Sequence, residues 1–257
     1  MKTVYVMQKK LFFLGLAIIG ILFIYTGCDD NSRSLGNFGI DIATIVPEGD
    51  NSYSLKLDNG LKLWSATTDV IITPSDNQRV LLNYTILTDQ KDGFDHYIKV
   101  NDIWKILTKQ PIELTSENEI SIGNDPVKTN SIWVGGDYLN VSFMFNYGGI
   151  QPHAINLVGN VLYAETDQDV IELEFRHNSF DSKSDKLYEG FVCFDLRSLR
   201  AFDSDSVKLS VKVKEWTDKT NNNTTEKIYN VVYRYNSPTT QTRTETPIPV
   251  TTSNEYY

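Results

Sequence analysis

An all-β protein is expected, with a small barrel of about five short strands followed by an antiparallel β-sandwich of immunoglobulin-like size. Three observations point there. Apolar residues after residue 36 recur almost entirely at every second position, the period of a strand and not of a helix. Turn residues such as Asp58-Asn59-Gly60 punctuate these runs at short intervals. A polar stretch beginning near Pro111 separates shorter strands from longer, cleaner ones.

Residues 1–27 read as a lipoprotein signal peptide. Lys2, Lys9 and Lys10 form a basic leader, and Leu11 to Ile24 is an uncharged run of 14 residues. That length suits the apolar part of a signal peptide and falls short of the ~20 residues a membrane-spanning helix needs. Tyr25-Thr26-Gly27-Cys28 resembles a lipobox, after which the cysteine is diacylated through sulfur, the leader is cut and the new amino group is acylated. Tyr25 stands where a Leu-like residue is usual. Cys28 is therefore the expected lipid attachment point, carrying palmitate-type chains. Each buried methylene contributes about 0.8 kcal/mol, so two or three chains hold a protein where one binds marginally. Residues 28–36 are a polar tether, and Asp29-Asp30 resembles the acidic signal by which lipoproteins of Bacteroides-like bacteria reach the outer face of the outer membrane. The expected location is an outer-membrane lipid anchor facing the cell surface, with the periplasmic face as the alternative.

Residues 37–110 hold the barrel. Strands are read from Phe38 to Val46, Val80 to Leu87 and Tyr97 to Ile106, and Leu55 to Leu63 is a hairpin. A two-residue turn there would mix apolar and charged faces, whereas a three-residue Asp58-Asn59-Gly60 loop pairs Leu55 with Leu63 and places Gly60 in the left-handed region. This register sets Lys56 opposite Lys62, tolerable on a solvated face. Five such strands suit either the oligonucleotide/oligosaccharide-binding (OB) barrel or an SH3-like one.

Residues 120–236 hold the sandwich, with about seven strands. Leu139, Val141, Phe143 and Phe145 alternate with Asn140, Ser142 and Asn146; Ile171, Leu173 and Phe175 alternate with Glu172, Glu174 and Arg176. Each such strand is expected to have one buried and one wet face. Val207 to Lys214 alternates without a break, Asp218 to Glu226 reads as a loop, and residues 237–257 as a Thr/Pro-rich mobile tail.

The net charge is -9, and removing residues 1–27 takes away three lysines and no acid, leaving -12. A surface that acidic excludes a nucleic-acid partner, which would require basic groups against the phosphates. With Cys28 acylated, Cys193 has no partner for a disulfide, and its apolar run makes it a small core residue.

Tyr84-Thr85-Ile86-Leu87, Tyr97 to Asn101 and Ile106 to Lys109, then Gly123 to Val127, Trp133, His153 to Leu157 and Leu173 to Asn178, together resemble the NigD-like lipoproteins of Bacteroides-like bacteria. The resemblance runs over residues 35 to 236 and implies an N-terminal OB-like domain and a C-terminal β-sandwich. It implies no established activity, and the family name comes from a bacteriocin-associated gene cluster.

Catalytic residues are not expected. No nucleophile elbow, phosphate loop, zinc helix motif or paired carboxylates stand out, and Asp89, Asp92 and Asp95 lack the spacing of a calcium loop. Neither a metal nor a cofactor is expected, although His153 and His177 are able to meet across a sheet. The binding candidates are His153, Arg176 and His177, with Arg176-His177-Asn178 either lining a polar pocket or tying down a turn. Tyr147, Trp216, Tyr229, Tyr233 and Tyr235 are aromatics suited to stacking on sugars or to core roles. The expected function is a non-enzymatic envelope binding module for a glycan or another envelope protein, attached to the membrane through Cys28. The alternatives are an immunity or assembly subunit of a bacteriocin-associated system and, third, an envelope-polymer hydrolase.

Overall fold

The computed structural model describes residues 38–235 apart from 50, 149–150, 160–169, 183, 185, 202 and 219–222. The expected signal peptide, the expected lipid attachment at Cys28 with its tether, and the expected tail lie outside these. The described residues belong to one compact unit.

Strands β1 (Phe38–Pro47), β2 (Tyr53–Leu57), β3 (Lys62–Thr68), β4 (Arg79–Thr88) and β5 (His96–Lys105) close into a barrel in the order β1-β2-β3-β5-β4. Closure runs through one parallel pair, β3 with β5. This is the OB arrangement, one of the two barrels the strand count allows. Ala43, Ile45, Leu55, Leu63, Leu82 and Ile98 fill the interior with no solvent exposure.

The first hairpin has the register that its hydrophobic pattern requires. Leu57 N–H donates to Leu61 O at 2.9 Å, Leu55 faces Leu63, and Gly60 has φ 89°. Only a residue without Cβ adopts that φ at no steric cost. Lys56 faces Lys62, both exposed. Like charges directly opposite are destabilising, so Lys56→Glu is expected to raise stability by about 0.5 kcal/mol. The gain should appear in urea midpoints at low salt and shrink at 1 M salt, where screening removes it.

The chain leaves the barrel at Ile106 and enters the sandwich at once. β6 (Leu107–Lys109) joins a four-stranded sheet of order β6-β12-β9-β8, and β7 (Ile112–Glu113) joins a five-stranded sheet of order β14-β13-β11-β10-β7. The remaining strands are β8 (Lys128–Gly135), β9 (Tyr138–Asn146), β10 (Ala154–Gly159), β11 (Val170–Asn178), β12 (Leu187–Asp195), β13 (Ser206–Asp218) and β14 (Asn223–Arg234). One short helix, α1 (Glu119–Ile122), precedes β8. Most pairs are antiparallel, as expected, but β6–β12, β7–β10 and β11–β13 are parallel. β6 and β7 are three and two residues long, too short to show a period, which is why this segment reads as a break in the sequence.

Two expectations are corrected here. The loop read at Asp218 to Glu226 is shorter, because Thr224, Thr225 and Glu226 pair with Trp216, Glu215 and Lys214. β-Branched threonines favour the extended chain over a turn. Nor do all strands have a wet face. Asn140 and Ser142 of β9 are 0% and 1% exposed: Asn140 bonds Arg79 and Asp58 of the barrel on that side of the sheet, and Ser142 bonds Asn130 and Glu189 of the neighbouring strands. Ile42, Leu81 and Ile106 of the barrel pack there with Tyr138, Phe191 and Cys193 of the sandwich.

Between the two sheets Phe143, Phe145, Phe175, Val192, Phe194, Val211 and Tyr233 form the main core. The Phe143 and Phe175 rings meet edge to face with centroids 5.2 Å apart, a geometry that adds about 0.5–1.5 kcal/mol to the burial of their area.

Candidate functional site

Three gatherings of polar side chains bear on function, and each comes from a different structural cause. The deepest is the seam between barrel and sandwich. Arg79, at the start of β4, is 1% exposed. Its Nη1 donates to Thr44 Oγ1 at 3.0 Å and pairs with Asp58 Oδ1 at 2.7 Å, and its Nη2 donates to Asp58 Oδ2 at 2.8 Å and to Asn140 Oδ1 at 3.2 Å. Asn140 Nδ2 donates to Asp58 Oδ2 at 2.9 Å, and the guanidinium lies 4.5 Å from the Tyr138 ring centre. Burial opposes the charge on Arg79, but the Asp58 carboxylate overrides it and holds the group protonated. The carboxylate reaches this position because residue 135 is glycine, where a Cβ would lie 2.0 Å from Asp58 Oδ2. Cys193 S–H donates to Asn140 Oδ1 at 3.1 Å, and burial pushes the thiol up to about 11, so at neutral pH it is a protonated core residue. Neither Arg79 nor Asn140 stands out in the sequence, since each lies in an ordinary alternating strand.

The second place is the end of the sandwich core where β10 and β11 begin to pair. The structure brings His153 and His177 together, with Nδ1 of the first 2.9 Å from Nε2 of the second. They are 0% and 2% exposed, with the Phe145 and Tyr147 rings each 5.2 Å from His153. Burial, and then the neighbouring His153, push His177 down to about 4 against the pull of Asp125. His153 is lowered by burial, again against Asp125. Both rings are thus neutral at pH 7, and one donates to the other. Neither of the outer nitrogens, His153 Nε2 and His177 Nδ1, has a hydrogen-bond partner. Asp125 itself is occupied, accepting from Ser179 N–H at 2.8 Å and Ser179 O–H at 2.6 Å. No cluster of three or more metal-ligating side chains occurs among the described residues.

Arg176 does not join the histidines. Adjacent residues of a strand point to opposite faces, so Arg176 stands on the outside of the sheet while His177 points inward. Its Nε donates to Glu174 Oε2 at 2.7 Å. Asn178 ties down a turn, its Nδ2 donating to Ser121 O at 2.9 Å and its Oδ1 accepting from Phe180 N–H at 2.8 Å. Of the aromatics, Tyr233 is buried and donates to Asp137 Oδ1 at 2.8 Å, Tyr229 donates to Glu215 Oε1 at 2.5 Å, and Tyr147 packs on His153. These rings serve packing.

The third place is a groove of 480 Å³ on the outer face of the five-stranded sheet. Glu113, Glu172, Glu174, Ser210, Lys212 and Ile228 line it. Lys212 Nζ lies 2.6 Å from Glu174 Oε1. Burial alone would raise Glu174, but hydrogen bonds from Lys212 and Arg176 keep it below the usual carboxylate range. The groove thus presents three carboxylates, of which Glu174 is held in place, with an ammonium and a hydroxyl beside an apolar wall, which suits a polar ligand. Its residues are the polar members of the alternating strands, indistinguishable in sequence from a solvated face. No helix among the described residues is long and apolar enough to cross a membrane.

With these features in view, comparison with known proteins is informative. Residues 42–106 match the NigD-like N-terminal OB domain and residues 110–236 the NigD-like C-terminal beta sandwich domain. No curated protein matches the chain. Among solved structures, a protein described as toxin-related from Parabacteroides distasonis is 39% identical, with a TM-score of 0.66 over 77% of this chain and 94% of that one. A protein of unknown function, DUF1344, from Bacteroides vulgatus is 30% identical, with a TM-score of 0.65 over 79% and 93%. A NigD-like immunity protein from Bacteroides caccae is 19% identical and shares the fold, with a TM-score of 0.58 over 75% and 92%. Barrel, sandwich and the order in which they follow one another thus place this chain in the NigD-like family.

Proposed function

We propose that this protein is a non-enzymatic binding module of the cell envelope, anchored in the outer membrane by acyl chains on Cys28 and taking a hydroxyl-rich partner such as a glycan. The groove on the five-stranded sheet carries this reading. Glu174 is held ionised between Lys212 and Arg176, so a sugar meets acceptors and donors that are already oriented and pays little ordering entropy on binding. Lys212, Glu174 and Arg176 also hold one another, which is a binding arrangement.

Two measurements test the two halves. In Cys28→Ala, palmitate labelling and recovery in the membrane fraction should both be lost; unchanged attachment would overturn the tether. On a glycan array, the wild type should give a reproducible signal that Glu174→Gln lowers at least tenfold without changing the melting temperature by more than a few degrees. A flat array would remove the glycan.

A second reading, an immunity or assembly subunit acting on a protein partner, is favoured by one observation. The relative at 39% identity is described as toxin-related. A reproducible protein partner recovered from intact cells, together with a blank glycan array, would favour it over the first.

A further inference from the structure

We propose that β14 is a self-complementary dimerisation edge, pairing antiparallel with the β14 of a second copy about a two-fold axis at Asn230. This rests on strand register and not on the ligand reading above.

Among the described residues β14 is the last strand of its sheet; it runs twelve residues, Asn223–Arg234, with one side paired to β13. Tyr235 N–H donates to Asp205 O at 3.0 Å, and the register continues without a shift through Val207–Tyr233 to Lys214–Glu226. In an antiparallel ladder the backbone groups alternate sides. Tyr233, Val231, Tyr229 and Lys227 therefore direct theirs at β13. Glu226, Ile228, Asn230, Val232 and Arg234 direct theirs at the open edge. The same five residues are exposed, and two of them are large apolar side chains, Ile228 at 59% and Val232 at 41%.

A long edge with apolar side chains is a standing liability to strand addition, which proteins usually blunt with a proline, a bulge or an inward-pointing charge. The paired stretch of β14 from 224 to 234 has no proline and no bulge, and its one inward-facing charge, Lys227, lies 4.0 Å from Glu215 and over the Tyr229 ring. What it has is symmetry about Asn230. In a two-fold pair centred there, Glu226 faces Arg234 of the second copy, Ile228 faces Val232 of the second copy, and Asn230 faces itself. Every edge pair is then a matched one, charge to opposite charge and aliphatic to aliphatic. Moving the axis by one residue puts Ile228 opposite Asn230 or Arg234 and separates the charges. Parity is also satisfied, since the five facing pairs are all of the hydrogen-bonded kind and would form about ten backbone bonds. Glu226 is 63% exposed and held only by a long ion pair, 3.8 Å to Lys212, which a closer pairing with Arg234 of the second copy would replace. Edge pairing joins the two five-stranded sheets into one and sets the second copy's Val232 against Ile228, at the rim of the groove. A single strand per copy buries less than the ~800 Å² per partner of a standard interface, so the association is expected to be weak and concentration-dependent.

The test is a disulfide at the axis. Narrow-pair Cα atoms lie about 5.5 Å apart, within the range a disulfide spans. In the full chain carrying Cys28→Ser in detergent, Asn230→Cys should give a cross-linked dimer under mild oxidation, while Val231→Cys, which faces inward, should give at least tenfold less. Adding Arg234→Glu should abolish the cross-link by setting Glu226 against a second acid, and adding Glu226→Arg as well should restore it. Equal cross-linking at 230 and 231, or no rescue by the charge swap, overturns the proposal. So does a cross-link that appears only after residues 237–257 are removed, since the edge would then belong to the chain's own tail.

Discussion

Asp58→Ala is expected to cost about 3–5 kcal/mol, the range for leaving one partner of a buried ion pair alone. Arg79→Met should cost less. The asymmetry comes from depth. The Arg79 side chain is 1% exposed and that of Asp58 16%, so removing the acid strands a guanidinium with no water, whereas removing the base leaves a carboxylate that keeps the Asn140 amide at 2.9 Å and reaches solvent. The double variant should lose less than the sum of the singles, because no charge is then left unpaired. Denaturant unfolding of the three variants measures all of this. The network also spans the seam, with Asp58 after β2, Arg79 on β4 and Asn140 on β9. Barrel and sandwich should therefore unfold in one transition in the wild type and in two in Asp58→Ala. A loss below about 1 kcal/mol, or strictly additive singles, would show that the pair is replaceable by packing.

The barrel hairpin was legible because burial acts residue by residue on a strand of period two. Leu55, Leu57, Leu61 and Leu63 leave one register that keeps all four on one face, and the structure has it. The same logic misread β9. Asn140 alternates with apolar neighbours and reads as solvated, yet the barrel covers it. Periodicity reports which face is polar and is silent on what is packed against that face. The histidine pair was half legible for a related reason. That His153 and His177 are able to meet follows from two strands in one sheet, but Arg176 was grouped with them by sequence adjacency, which on a strand places neighbours on opposite sides. The groove left no sequence signal at all. Its Glu174 and Lys212 are 38 positions apart and become partners only because β11 and β13 pair in parallel, Glu174 beside Lys212, a crossover that no local pattern encodes.

Acid is expected to weaken the fold well before its carboxylates titrate, and His177 is the reason. Its folded-state value is about 4 against 6.5 in the unfolded chain. As pH falls through 6.5 the unfolded chain binds a proton that the folded chain refuses until about pH 4. The unfolded state then holds more protons across that window, so stability is full above pH 6.5 and declines down to pH 4, by about 3 kcal/mol at 1.36 kcal/mol per pH unit. His153, also lowered, adds to the slope in the same direction. The groups facing the pair do not imitate the effect. Asp125 is depressed from 3.8, and the more distant Glu174 and Glu215 from 4.5, so their contributions are lost only below those values. A stability slope between pH 6.5 and 4.5 therefore belongs to the histidines. Urea midpoints at pH 7.0, 5.5 and 4.5 should fall steadily in the wild type and stay level in His153→Phe/His177→Phe, whose rings replace imidazoles already packed against Phe145 and Tyr147. A level wild type, or a slope that survives in the double variant, would place the acid sensitivity elsewhere. The physical root is burial: the two rings are 0% and 2% exposed, so a proton added to the pair brings a charge that Asp125, already taken up by Ser179, balances only in part.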